Sequence, residues 1–223
     1  MMIKAVFFDV NETVLDLSSL KEKFTKYLSD DPVVNYWFTK LLHTSNTIAI
    51  LDEYVNFGEL SAIVLENVFC EQGKTLTEEA KSDILGTFRK LSPYPDVKAA
   101  LNILKDNDIK VIAVSNSSLE MMEQQLTNAG LIGLFDHYYS VDAVEKYKPF
   151  SQIYQYVAKK ENVSTNHVVM VASHDWDLFG AKKAGLKTAY IKRKEVIFNP
   201  IYPQPDFSDE ELTRLVEKIV NNN

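Results

Sequence analysis

Four short polar clusters carry the side chains whose types and spacing suit chemistry: Asp9 with Thr13, Ser115 with Asn116, Lys148 ahead of Pro149, and Ser173 with Asp177. Asp9 closes the run Ile3-Lys4-Ala5-Val6-Phe7-Phe8, in which five of six residues are apolar. A carboxylate fixed at the tip of a buried strand, partly shielded from water, is a candidate nucleophile rather than a solvated charge. Taken singly, each cluster has an ordinary structural explanation. Ser115 suits a helix cap, Lys148 a loop, and Asp177 a first helical turn where the dipole favours an acid. Taken together, in this order and each at or close after a strand's carboxyl end, they read as one functional set rather than four separate structural features.

The elements that must position this set alternate along most of the chain. Strands are expected at Ile3–Phe8, Lys110–Val114, Tyr138–Val141, Val168–Ala172 and Thr188–Lys192, with helix-length segments between them and a last helix at Asp209–Val220. Strands spaced in this way predict right-handed βαβ units and a doubly wound parallel α/β sheet. The carboxyl ends of parallel strands share one edge, where such sheets bind ligands. Asp9, Ser115, Ser173 and Asp177 all follow strand ends, so residues far apart in sequence can converge there. The stretch 14–93 reads differently. It shows no strand-like alternation and predicts helices from Ser18 or Ser19 to Leu28, from Asp30 or Asp31 with Pro32 to about Leu51, from Phe57 to Gln72, and from Thr77 to Lys90. Ser92-Pro93-Tyr94-Pro95 is a stiff return. The expected organisation is a core of residues 1–13 and 94–223 with an all-helical insertion at 14–93.

The 223 residues, 46% of them hydrophobic, suffice for a real core. A net charge of −7 argues against a nucleic-acid partner, while leaving room for a small anionic substrate at a locally positive site. The single cysteine, Cys70, excludes an internal disulfide and is expected to be a buried thiol. The short apolar start, broken at Asp9, lacks a signal-peptide shape, and no run approaches the ~20 apolar residues of a membrane span. A cytoplasmic protein with no membrane partner is expected, with a homodimer left open.

Asp9-x-x-x-Thr13, Ser115-Asn116, Lys148-Pro149 and Ser173-x-x-x-Asp177 resemble the four motifs of the haloacid dehalogenase superfamily, and the insertion falls where that family places its cap. Tyr147-Lys148-Pro149 with Tyr154, Trp176-Asp177 with Gly180-Ala181, and Tyr54-Val55-Asn56-Phe57 are similar to the L-2-haloacid dehalogenase branch. The resemblance implies a Rossmann-like core and no cofactor. It makes Asp9, Lys148, Asp177 and Thr13 the catalytic group, with Asn11, Ser115, Asn116, Tyr154, Ser173 and His174 around the substrate. Asp9 would displace halide to form an ester, and water held by Asp177 would attack the ester carbonyl. The phosphatases of the superfamily carry an acid two residues after the nucleophile to protonate a departing alcohol. Here that residue is Asn11, and a halide needs no proton to leave. The alternatives are a phosphatase or phosphonate hydrolase with Mg²⁺ on Asp9 and Asp177, and a silent protein that binds small acids. Three positions depart from the branch pattern. Asn11 replaces a usual Tyr, Phe38-Thr39-Lys40 follows Trp37 where a halide-binding arginine is expected, and Ala172-Ser173-His174 stands for Ser-Ser-Asn. Lys40 and Asn46 are the candidates to replace the arginine, although a lysine one position further along a helix points about 100° away.

Overall fold

The computed structural model describes residues 2–28 and 33–222. Asp30, Asp31 and Pro32, expected to open the second helix, lie outside them. In chain order the elements are β1 (Ala5–Phe8), β2 (Leu15–Asp16), α1 (Ser19–Leu28), α2 (Val33–Ile50), α3 (Phe57–Glu71), α4 (Glu78–Phe88) and β3 (Ser92–Pro93). There follow α5 (Val97–Asp106), β4 (Lys110–Ser115), α6 (Leu119–Asn128), β5 (His137–Ser140), α7 (Ser151–Lys160), β6 (Val168–Ala172), α8 (Asp175–Lys183), β7 (Lys187–Ile191), β8 (Phe207–Asp209) and α9 (Leu212–Asn221).

Six strands form one sheet in the order β5-β4-β1-β6-β7-β8, each neighbouring pair parallel. This is the doubly wound α/β sheet expected from the alternation. The central strands β1 and β6 are apolar throughout and buried on both faces. The edge strands are short and mixed, His137-Tyr138-Tyr139-Ser140 and Phe207-Ser208-Asp209, which blunts the edges against further pairing. The order also fixes where a ligand can sit. From β1 the chain moves to β4 and β5 on one side, and from β6 to β7 and β8 on the other. The connections that leave β1 and β6 therefore run to opposite sides, leaving a crevice between the tips of these two strands. Asp9 and the Ser173–Asp177 turn sit on its two sides.

Local structure departs from the sequence reading at three places. β2 and β3 form a two-stranded antiparallel ribbon, Leu15 opposite Pro93 and Asp16 opposite Ser92, within a stretch expected to hold no strand. Two residues per strand are too few to show alternation, and the ribbon brings the two chain crossings at either end of α1–α4 side by side. β8 takes Asp209 out of the expected last helix. Its carboxylate accepts from the backbone N–H of Glu210 and Glu211 and pairs with Lys218, so the helix begins only at Leu212. Cys70 is exposed, not buried. α3 buries Val64, Leu65, Val68 and Phe69, and each further residue turns about 100° round the axis, which carries Cys70 off that face.

α5 packs against α9, and α7 against α8. The Arg193 guanidinium, on the loop after β7, grips both oxygens of Asp96 at 2.8 and 2.9 Å, and Asp96 also accepts from Leu212 N at 2.9 Å. Such a paired fork holds geometry better than a single contact. It ties the loop that follows β7 to the starts of α5 and α9.

Candidate active site

After β1 the backbone folds tightly round one carbonyl: the N–H groups of Thr13, Val14 and Leu15 all point at Val10 O, at 3.0–3.3 Å. The turn places Thr13 beneath Asp9, and its hydroxyl donates to Asp9 Oδ2 at 2.7 Å. Ser173 N donates in turn to Thr13 Oγ1 at 3.0 Å, and Ser173 Oγ donates to Glu12 O at 2.9 Å. The tips of β1 and β6 are thereby stitched together across the crevice.

Lys148 is buried, 1% exposed, with its ammonium 2.9 Å from Asp9 Oδ1 and 2.8 Å from Asp177 Oδ2. Its backbone N–H donates to Asn116 Oδ1 at 2.9 Å, so Asn116 fixes the loop from which the side chain reaches. Tyr154 donates its hydroxyl to Asp177 Oδ1. Burial pushes the Asp9 carboxyl up, but Lys148 and His174 outweigh it and hold it well below the usual carboxylate range. Burial likewise pulls Lys148 down, and the two acids more than restore it. For Asp177 burial dominates and its carboxyl lies above the usual value. The result is an ionised Asp9 beside an acid that more readily accepts a proton, which are the respective needs of a nucleophile and a base.

His174 is the other neighbour of Asp9. Its Nδ1 lies 3.0 Å from Asp9 Oδ2 and its Nε2 3.0 Å from Glu12 Oε2. Both nitrogens face carboxylate oxygens, which only accept, so the ring carries both protons. The ring is held between Phe38 and Trp176, with centroids 6.4 and 5.2 Å away. Lys194 pairs with the other oxygen of Glu12.

The structure thus brings Asp9, Thr13, Lys148, Asp177, Tyr154, Ser173 and His174 into one network, with Asn116 one bond behind. Asn11 and Ser115 lie in an adjoining one. Asn11 Nδ2 donates to Ser117 Oγ at 3.0 Å and its Oδ1 accepts from Gln125 at 3.2 Å, while Ser115 Oγ accepts from Ser117 N at 3.0 Å. Lys40 pairs with Glu71, and Asn46 Oδ1 is buried without a hydrogen-bond partner. Glu12, Arg193 and Lys194 escaped the sequence reading. The two basic residues follow the expected strand Thr188–Lys192, which is β7, so the strand-end rule that points to Ser115 and Ser173 points to them as well. Glu12 gave no such signal, because nothing in its type announces a backbone φ of +61°.

Asp9 is 6% exposed. Two cavities, of about 660 and 280 Å³, share Glu12, Arg193 and Lys194 in their walls; Asp9 lines neither, and of its hydrogen-bond partners His174 stands in the wall of the smaller. The larger also touches Val34 and Asn35 of α2 and Tyr94, and the smaller touches Ser173 and His174.

A divalent cation would need several oxygens free at this edge. The Lys148 ammonium instead stands between Asp9 and Asp177, and Asp175 commits its oxygens to Trp176 N and Asn199 N. Among the described residues no group of three His, Cys, Asp or Glu is placed to hold a metal. The donor set does not fit a magnesium site.

Close packing sets the position of the lysine loop. A Cβ on Gly180 would come within 2.3 Å of Pro149 O and 2.6 Å of Pro149 Cβ. Gly180→Ala is expected to lower stability by about 1–3 kcal/mol, as overpacking does, and to displace Lys148 with loss of turnover. Urea denaturation and steady-state kinetics check the two effects; an alanine variant with unchanged stability and rate contradicts this reading of the contact.

Fold and site together define an α/β hydrolase. The chain matches the description "haloacid dehalogenase-like hydrolase" over residues 3–185, and it belongs to that family. It is 30% identical over 228 residues to (S)-2-haloacid dehalogenase 4A of Burkholderia cepacia, covering 98% of this chain and 96% of that protein. It is 27% identical over 220 residues to haloacetate dehalogenase H-2 of Moraxella sp. (strain B), with 97% and 98% covered. Among solved structures it is similar to the L-2-haloacid dehalogenase of Xanthobacter autotrophicus with chloropropionic acid covalently bound, at a TM-score of 0.90, 26% identity and 98% coverage of each chain. No helix among the described residues is long and apolar enough to cross a membrane.

Proposed function

We propose that the protein hydrolyses a small 2-haloacid to the 2-hydroxy acid through an ester on Asp9, and that residues 14–93 form a cap over the site. The observation that carries this reading is the placement of Lys148 between Asp9 and Asp177, with no acid at position 11. Asp9 attacks the halogen-bearing carbon and halide departs without a proton. Water beside Asp177 then gives up a proton to it and attacks the ester carbon, and Lys148 supplies a proton to the oxygen that leaves with the product. The substrate carbon inverts once, because the second attack falls on the enzyme's carbon. Lys148 and Asp177 are 2.8 Å apart, so the proton taken by the acid returns directly to the lysine.

Several observations support the cap. Tyr147 donates its hydroxyl to Val55 O, and its ring packs on Tyr54 and Phe57 at 5.3 and 6.0 Å, so the segment between α2 and α3 bears directly on the lysine loop. Phe38 of α2 faces His174. The covalent chloropropionate in the Xanthobacter enzyme and the names of the relatives favour a 2-haloacid as substrate.

The test is chloride release from L-2-chloropropionate beside phosphate release from p-nitrophenyl phosphate, each with Mg²⁺ and with a chelator. Chloride release that persists in the chelator is expected. Phosphate release that needs Mg²⁺, with no chloride, would overturn the proposal.

A further inference from the structure

We propose that His174 and Thr13 form the oxyanion site for the second half of the reaction. On this assignment His174 is held as an imidazolium by Glu12, Asp9 Oδ2 becomes the ester carbonyl oxygen, and Asp9 Oδ1 becomes the oxygen bonded to substrate. The inference rests on the covalent reading above and goes beyond it by dividing the two oxygens of Asp9 between two tasks.

The division follows from their partners. Oδ2 accepts from Thr13 Oγ1 at 2.7 Å and faces His174 Nδ1 at 3.0 Å, whereas among the described residues Oδ1 faces only the Lys148 ammonium at 2.9 Å. A carboxylate oxygen offers about two lone-pair sites. Those of Oδ2 are filled, so the free pair that attacks carbon belongs to Oδ1. In the ester, water attacks Cγ, its proton passes to Asp177, and the C=O pair moves onto Oδ2. Two donors already stand there within the 2.7–3.1 Å range that stabilises developing charge. The Cγ–Oδ1 bond then breaks, Oδ1 takes a proton from Lys148 and leaves as the product hydroxyl, Asp177 returns its proton to Lys148, and the water oxygen gives up its second proton to solvent to complete a new carboxylate.

Glu12 is the positioning residue. Its backbone adopts φ +61°, a conformation disfavoured for a side chain with a Cβ. In that conformation its buried carboxylate meets His174 Nε2 at 3.0 Å, where it fixes the ring and favours the charged form. The groups facing the imidazole are Asp9 and Glu12 from the turn after β1 and the uncharged rings of Phe38 and Trp176. Lys194 lies beyond Glu12, and Arg193 and Asp175 share the small cavity. Burial pulls the imidazole down, but its bonds to Asp9 and Glu12 outweigh this and raise it to about 9. Ester hydrolysis is expected to fall as pH rises through that value, while ester formation, which uses Oδ1, does not.

The experiment is rapid-quench kinetics on the intact protein with L-2-chloropropionate, reading chloride, hydroxy acid and enzyme mass. In His174→Phe, which keeps a ring between Phe38 and Trp176, chloride is expected as a burst of about one equivalent. Hydroxy acid should slow about 10²–10³-fold, and the enzyme should gain the mass of the substrate less hydrogen chloride. In Glu12→Gln the alkaline limb of turnover should move down by about one unit or more. In Lys194→Met, whose side chain is half exposed, the limb should move up, since a cation near the imidazolium is gone. Opposite shifts from two neighbours are not the signature of a structural defect, and they decide the matter even if the phenylalanine variant does not fold. Chloride and hydroxy acid released in step in every variant, with the limb unmoved, would overturn the inference and leave the covalent reading intact. A wild-type protein that releases no chloride would overturn both.

Discussion

Asp9→Asn is expected to abolish turnover, lowering kcat by at least ~10⁴-fold, as loss of a nucleophile does in covalent hydrolases, while the fold survives. An amide has neither the charge nor the free lone-pair strength to displace halide, yet it fits the same space and still accepts from Thr13. Far-UV circular dichroism should match that of the native protein, and no chloride burst should appear. A variant that retains one hundredth of the native rate would show that Asp9 is a supporting group and that another atom attacks.

The second large effect is on stability as well as rate. Lys148 bridges Asp9 and Asp177, and all three side chains are buried. Lys148→Met keeps the length of the side chain and removes the charge. Breaking a buried pair by removing one partner costs about 3–5 kcal/mol, here because Asp177 loses the cation it is paired with while Asp9 keeps His174. Turnover should fall by about 10³-fold or more, because the same ammonium keeps Asp9 ionised and supplies the proton for the departing alcohol. The pH trend distinguishes this cause from poor packing. In the native protein Asp9 lies below its unfolded value of 3.8, so the stability it contributes is present above that value and is lost as pH falls. Without Lys148 the two acids face each other in a buried site and their values rise. The penalty is then full at neutral pH and is relieved as pH falls through the raised values. Urea denaturation from pH 8 to pH 5 should show the variant gaining on the native protein, and a gap that stays constant would assign the loss to packing alone.

Much of this arrangement is legible in the amino-acid sequence. The apolar run that ends at Asp9, the strand that ends at Ser115 and the strand that ends at Ser173 each show two-sided burial followed by a polar residue. A parallel sheet places all such ends on one edge. Lys148 and Asp177 were found in the same way, and both lie within hydrogen-bond reach of one another and of Asp9's surroundings. What escaped were features that depend on backbone conformation or on very short pairing. Glu12 lies inside the turn between Asp9 and Thr13, and only its positive φ turns its carboxylate toward His174. The Leu15–Asp16 and Ser92–Pro93 strands are too short for a period, and Phe207–Asp209 is an edge strand whose residues equally suit a helix start. Cys70 shows the opposite error: an apolar neighbourhood in sequence suggested burial, while the helix turned that position toward solvent.

The branch-specific departures also find a physical account. Asn11, at the position of the phosphatases' acid, is committed to Ser117 and Gln125, and so serves to brace the turn. His174 meets Glu12 on one side and Asp9 on the other, which gives the site a second, partly buried cation beside Lys148. Lys40, considered as a halide acceptor, is engaged with Glu71 and the ring of Tyr36.

The central claim is that Asp9 bonds to the substrate carbon and that water attacks the enzyme's own carboxyl carbon. A single turnover with enzyme in excess, run in heavy-oxygen water, reads this directly. The account predicts a first product whose new hydroxyl carries ordinary oxygen, with the heavy atom recovered in the peptide that contains Asp9. Heavy oxygen in the hydroxy acid from that first turnover, with the peptide unlabelled, would mean that water attacks the substrate itself, and would contradict it.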